Sequence, residues 1–128
     1  MPLARIDLMK GKSVEYRQTI GDVVYTAMVE ILKAPRGDRF QVITEHDDVD
    51  LVYDPYFLGI NRSKDIIFIQ LTLAEGRTVE QKRGFYKQVV DDLHTRLGVR
   101  REDVVFSLVG TGRDDWSFGN GEASLVKP

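Results

Sequence analysis

The chain has no cysteine, which removes disulfides, thiolate nucleophiles and thiolate metal sites together. It also has no basic excess. Eighteen Lys and Arg stand against 20 Asp and Glu, a formal net charge of −2, so the cationic surplus that draws proteins to nucleic acid or anionic membranes is missing. No apolar run approaches the roughly 18 to 20 residues that cross a bilayer, and the first residues lack the basic-then-apolar order of a secretory signal. The expectation is a soluble, cytoplasmic protein with neither nucleic acid nor membrane as partner. Histidine is scarce, with only His46 and His94, and neither sits among ligands at metal-site spacing, so no metal is expected. "HDDVD" is acidic but lacks the Gly and terminal Glu of a calcium loop. "GTG" and "GNG" lack the strand-to-helix setting of a phosphate loop.

What is present is a globular composition, 42 % hydrophobic and 30 % charged over 128 residues, enough for one domain with a real core. Residues 3–8 alternate apolar and polar as a short strand does. Ser13 then precedes a helical pattern over 14–32, with Ile20, Val23, Val24, Ala27, Met28 and Ile31 spaced by threes and fours. "RFQVITEH" (39–46) reads as a strand with Phe40, Val42 and Thr44 on one face. After a turn-rich middle, "DIIFIQLTL" is a nearly continuous β-branched run, the pattern of a strand covered on both faces. Thr78 caps a second helix over 79–97 that closes at "LG", and "EDVVFSLVG" is the last strand. The tail "TGRDDWSFGNGEASLVKP" is rich in turn residues but carries Trp116 and Phe118.

The two halves match at offsets of about 63 to 65 residues, strand with strand and helix with helix. Such a fixed spacing marks an internal repeat. The fold expected is α+β: one domain over 1–128 made of two β-α-β units, approximately 1–58 and 59–128. Since β-α-β crossovers join parallel strands, the units combine into a four-stranded sheet with two helices on one face. A run as apolar as "IIFIQLTL" then needs cover on the other face, and a further copy of the chain is the cover expected.

Position 2 is proline. As a strand-start residue it needs no explanation, but if Met1 is removed Pro2 becomes a secondary amine at the chain terminus. Together with "PLARIDL", the stretches "GDRFQVITEH", "LGINRSKDIIFIQLT", "GRTVEQKRGFYKQVVDDL" and "EDVVFSLVGTGRDDWSFGNGEASL" resemble the tautomerase superfamily, and within it the malonate semialdehyde decarboxylase family. The resemblance implies a homotrimer of paired β-α-β units with sheets inside and helices outside. It implies a catalytic amine at Pro2, an acidic partner at Asp38 in "GDRF", and a carboxylate-binding cation at Arg77 in "GRTVEQK". It also implies an apolar wall from Trp116 and Phe118 with Leu125, and a small carboxylate-bearing substrate handled without a cofactor. The family's better-known decarboxylases carry two arginines separated by one residue before the second helix. Here the first is replaced by Glu75, which leaves the clamp to Arg77.

In an apolar pocket a terminal amine is held neutral and acts as a base, whereas beside a carboxylate it is held as a cation. The base moves protons between carbon atoms, as in tautomerases. The cation polarises the carbonyl of a 3-oxo acid as carbon dioxide leaves, and an imine with that carbonyl is a further route. Asp38 favours the cation. The leading expectation is decarboxylation of malonate semialdehyde to acetaldehyde. The alternatives are keto–enol tautomerisation, hydration of unsaturated acids, or a non-catalytic ligand-binding trimer. Each residue also has a plainer role: Asp38 as a turn acceptor, Arg77 as a surface charge, Trp116 as packing.

Overall fold

Both helices begin where a side-chain oxygen can take an orphaned backbone N–H. Ser13 accepts from the Tyr16 amide at the head of α1 (Val14–Glu30). Thr78 and Gln81 cap each other's backbone at the head of α2 (Val79–Leu97). The far end of α2 is closed by Gly98, whose φ of 68° belongs to the left-handed region that glycine enters without penalty. In this computed structural model, which describes residues 2–128, the remaining regular elements are β1 (Leu3–Met9), β2 (Phe40–His46), β3 (Ile67–Ala74) and β4 (Val104–Thr111). No helix among the described residues is long and apolar enough to cross a membrane.

The sheet order is β2-β1-β3-β4. β1 is parallel to β2 and β3 to β4, and β1 meets β3 antiparallel at the centre. Equivalent elements of the two halves start 64 or 65 residues apart: Leu3 and Ile67, Val14 and Val79, Phe40 and Val104. The repeat read in the sequence is therefore the architecture, two β-α-β units joined strand to strand.

Alternation divides the sheet into two unlike faces. Ala4, Ile6 and Leu8 of β1 and Ile67, Ile69, Leu71 and Leu73 of β3 are buried in one cluster with Ile20, Val24 and Met28 of α1 and Phe85, Val89 and Leu93 of α2. This is the core, with both helices on it. The other face carries Leu3, Arg5 and Asp7 between Phe40, Val42 and Thr44 on one side and Thr72, Gln70 and Phe68 on the other. Phe40, Val42 and Thr44 do share a face, and it is this helix-free one.

Two polar devices hold the long connection between the halves. The Arg62 guanidinium donates to the carbonyls of Asp54, Phe57 and Ile60. Asp103, fully buried, accepts from the Ser63 amide at 2.7 Å and its hydroxyl at 2.6 Å. A buried carboxylate is tolerable only with such donors, and here they pin the entry to β3.

Candidate active site

Pro2 is buried at the head of β1, in the centre of the sheet. The ladders set Leu3 beside Phe40 on β2 and beside Thr72 on β3. Continued by one residue, they bring Pro2 level with Arg39 and opposite Leu73. Asp38 is the next residue back from Arg39, and its carboxylate oxygens are shielded from solvent. The expected removal of Met1 concerns a residue outside those described.

Arg77 closes the same end of the sheet from the connection between β3 and α2. Its Nε donates to the carbonyl of Leu32 at 3.0 Å, and its Nη1 to that of Ala74 at 2.9 Å. One guanidinium thus ties the end of β3 to the chain leaving α1, while its remaining N–H groups keep their donor capacity. No carboxylate neutralises it among the described residues. A cation fixed by backbone carbonyls and not by an acid is suited to receive an anionic ligand.

The tail brings aromatic rings to the same end of the sheet. After β4 it makes a short turn at Arg113–Asp115, and the Trp116 indole N–H then donates to the Thr111 hydroxyl at 2.8 Å. That hydroxyl in turn donates to the Leu73 carbonyl at 3.1 Å. Phe118 stacks on Trp116, with ring centroids 5.4 Å apart and planes 7° from parallel. On its far side Phe118 meets Phe40 at 5.6 Å. Trp116, Phe118 and Phe40 therefore form one row across the Pro2 end of the sheet, from the β4 side to β2. In the sequence Phe40 reads only as a strand residue. Its ring partner lies in the other half of the repeat, so nothing local in the sequence points to it. Leu125 is half-buried further along the same tail.

Glu75 also lines this end. A small cavity of about 70 Å³ is bounded in part by Leu73, Glu75, Arg77, Lys82, Leu108 and Gly110. The histidines lie elsewhere: His46 Nε2 is 2.6 Å from Asp7 Oδ1 toward the opposite end of the sheet, and the His94 ring contacts the Val99 carbonyl.

A family model described as tautomerase enzyme matches residues 38–119, and a second with the same description matches residues 2–55. The probable tautomerase YusQ of Bacillus subtilis (strain 168) is 38 % identical over 127 residues, covering 99 % of this chain and all of its own. Among solved structures, the FG41 malonate semialdehyde decarboxylase inhibited by 3-bromopropiolate is 38 % identical, with a TM-score of 0.88 over 95 % of this chain and 92 % of that one. A second malonate semialdehyde decarboxylase is 31 % identical, with a TM-score of 0.89 over 96 % and 95 % of the two chains. A fused 4-OT symmetric trimer shares the fold at 19 % identity, with a TM-score of 0.76 over 94 % of each chain.

Proposed function

The chain belongs to the tautomerase superfamily, and from that premise we propose that it is a cofactor-independent, cytoplasmic, homotrimeric decarboxylase of a small 3-oxo acid, with malonate semialdehyde as the first compound to test. Its working group is Pro2, freed by removal of Met1. What supports this reading is that Pro2, Asp38 and Arg77 all belong to one end of the sheet, in a chain 38 % identical to a malonate semialdehyde decarboxylase.

The Asp38 carboxylate favours the charged form of the Pro2 amine, and the ammonium donates to the aldehyde oxygen. Arg77 holds the carboxylate. When the carbon–carbon bond breaks, its electron pair passes to the α-carbon and on to the aldehyde oxygen as an enolate, which the ammonium stabilises. Carbon dioxide leaves, and a proton delivered to the α-carbon gives acetaldehyde. The Trp116–Phe118–Phe40 row excludes water, which strengthens these charge interactions and destabilises the ionised carboxylate that is to be lost.

Incubation with malonate semialdehyde, with acetaldehyde followed by coupled reduction, tests the reading on protein whose intact mass lacks Met1. Turnover is expected in the native protein and its loss in Pro2→Ala. Turnover no higher than in that control removes the decarboxylase reading. A second reading, keto–enol tautomerase, is favoured by a relative named as a probable tautomerase and by Glu75 in place of a second cation. In that case Pro2 acts as the base, and ketonisation of phenylenolpyruvate, watched by ultraviolet absorbance, is the discriminating assay.

A further inference from the structure

We propose that Glu75 selects the substrate class of this site: small acids that carry, away from the carboxylate, a hydroxyl or amino group able to donate a hydrogen bond. The proposal rests on the Pro2 end of the sheet being the substrate site, and goes beyond it by assigning a role to the residue that departs from the family's two-arginine pattern.

Glu75, Arg77 and Lys82 line one cavity of about 70 Å³, several times the room that one water needs. Leu73, which the extended ladder sets opposite Pro2, lines it as well. The three charged groups make no ion pair with one another, and the Glu75 carboxylate accepts no hydrogen bond among the described residues. Glu75 is nevertheless positioned. Its backbone amide donates to the Thr111 carbonyl at 2.9 Å. Its Cγ lies against the bare α-carbon of Gly110, where an added Cβ would stand only 2.9 Å away, so a larger residue there would displace it.

The other half of the repeat supplies the contrast. One repeat length of 65 residues back from Glu75 and Arg77 stand Lys10 and Lys12. They are neutralised by Asp47 at 3.1 Å and Asp65 at 2.7 Å. At the Pro2 end the equivalent charges stay uncompensated and share a cavity.

An anionic ligand entering that cavity places its carboxylate on Arg77 and Lys82. With the reacting carbonyl turned to Pro2, whatever further group the molecule carries faces Glu75, which repels a second carboxylate and rewards a donor. Glu75 is exposed in the free protein, so a ligand seated against it desolvates its acceptor, and an analogue lacking the matching hydroxyl leaves that cost uncompensated. The preferred 3-oxo acids are accordingly those bearing an additional hydroxyl or amino group.

Binding of propanoate and of 3-hydroxypropanoate to the intact protein, followed by titration calorimetry or chemical-shift perturbation, tests this without turnover. The native protein is expected to bind 3-hydroxypropanoate about ten-fold more tightly than propanoate. Glu75→Gln, which keeps an acceptor oxygen, retains the preference and binds both acids more tightly. Glu75→Met brings the two affinities to within about two-fold. Equal affinities in the native protein, a preference that survives in Glu75→Met, or no binding of either acid overturns the proposal. If malonate semialdehyde is not turned over while the binding preference holds, the decarboxylase reading falls and the Glu75 assignment stands. Turnover without the preference has the opposite meaning.

Discussion

Trp116 and Phe118 lie face to face, 5.4 Å apart at the ring centroids and 7° from parallel, and the pair is fixed at both ends. The Trp116 indole is anchored by the Thr111 hydroxyl, and the Phe118 ring leans on Phe40. A tail otherwise rich in turn residues is thus fastened over the end of the sheet where Pro2 begins.

Phe118 is the middle ring, and its loss removes two aromatic contacts at once. Phe118→Ala is expected to destabilise the protein by about 2 kcal/mol, since each such pair contributes about 0.5–1.5 kcal/mol beyond burial. It is also expected to lower kcat/KM on any substrate of the Pro2 site by at least about ten-fold through loss of water exclusion. Urea denaturation and steady-state kinetics read the two effects separately. A variant with altered stability and native kcat/KM would show that the wall is packing alone.

Arg77→Lys keeps the charge and loses the fork. A lysine ammonium at the end of its single stem can reach only one of the Leu32 and Ala74 carbonyls that Nε and Nη1 hold together, so one of the two bonds is lost. Hydrogen bonds from charged donors are worth about 1.5–3 kcal/mol each, so a loss of about 2 kcal/mol in unfolding free energy is expected, together with a raised KM for carboxylate substrates. Native stability in this variant would mean that the Arg77 contacts carry no load.

Much of this was legible in the sequence because it is periodic. The α2 helix occupies 79–97 as its apolar spacing and Thr78 cap predict, and the offsets between the halves need only a count. The end of α1 was less so. Ile31 and Leu32 continue the apolar stripe, which extends the sequence reading to 32. In the structure both their amides turn to the Ala27 carbonyl, and Lys33 takes a φ of 61° in a place where no glycine announces a stop. What the site adds is long-range. Phe40 meets Phe118 and Arg77 reaches Leu32 across different elements, and no spacing rule joins such residues. Asp38 and Arg77 could be named from resemblance, but their place at the same end of the sheet as Pro2 depends on sheet register.

Alkaline pH is expected to weaken the end of the sheet remote from Pro2. Lys12 donates to Asp65 at 2.7 Å and sits 5.2 Å over the Tyr16 ring. The Asp65 hydrogen bond raises the Lys12 pKa above its ordinary 10.5, and burial raises that of Tyr16 above 10.0. In each case the native state holds its proton longer than the unfolded chain does. Their stabilisation is therefore complete below the ordinary values and is lost as pH rises through the elevated native ones. The urea midpoint should fall above about pH 10, and Lys12→Met should make that fall shallower. An unchanged slope in the variant would exclude Lys12 as a source.

The helix-free face of the sheet gives the last prediction, and the alternation of the strands makes it. On β3 the residues facing the helices, Ile67, Ile69, Leu71 and Leu73, are buried, yet Phe68 and Thr72 between them are only half-covered and Gln70 is exposed. Phe40 at 47 %, Val42 at 39 % and Val109 at 40 % exposure stand on the same uncovered side. A sheet face spanning four strands with this many half-exposed apolar side chains needs a partner surface. The proposed homotrimer provides one by turning three such faces inward. Sedimentation velocity at micromolar concentration is expected to give three times the chain mass for the native protein. Val42→Asp places a charge in the middle of the β2 contribution, where its desolvation opposes assembly, and is expected to shift the distribution toward single chains. A native protein that sediments as a single chain would leave this face open to solvent and remove the trimer from the proposed function. A Val42→Asp variant that stays fully trimeric would place β2 outside the interface.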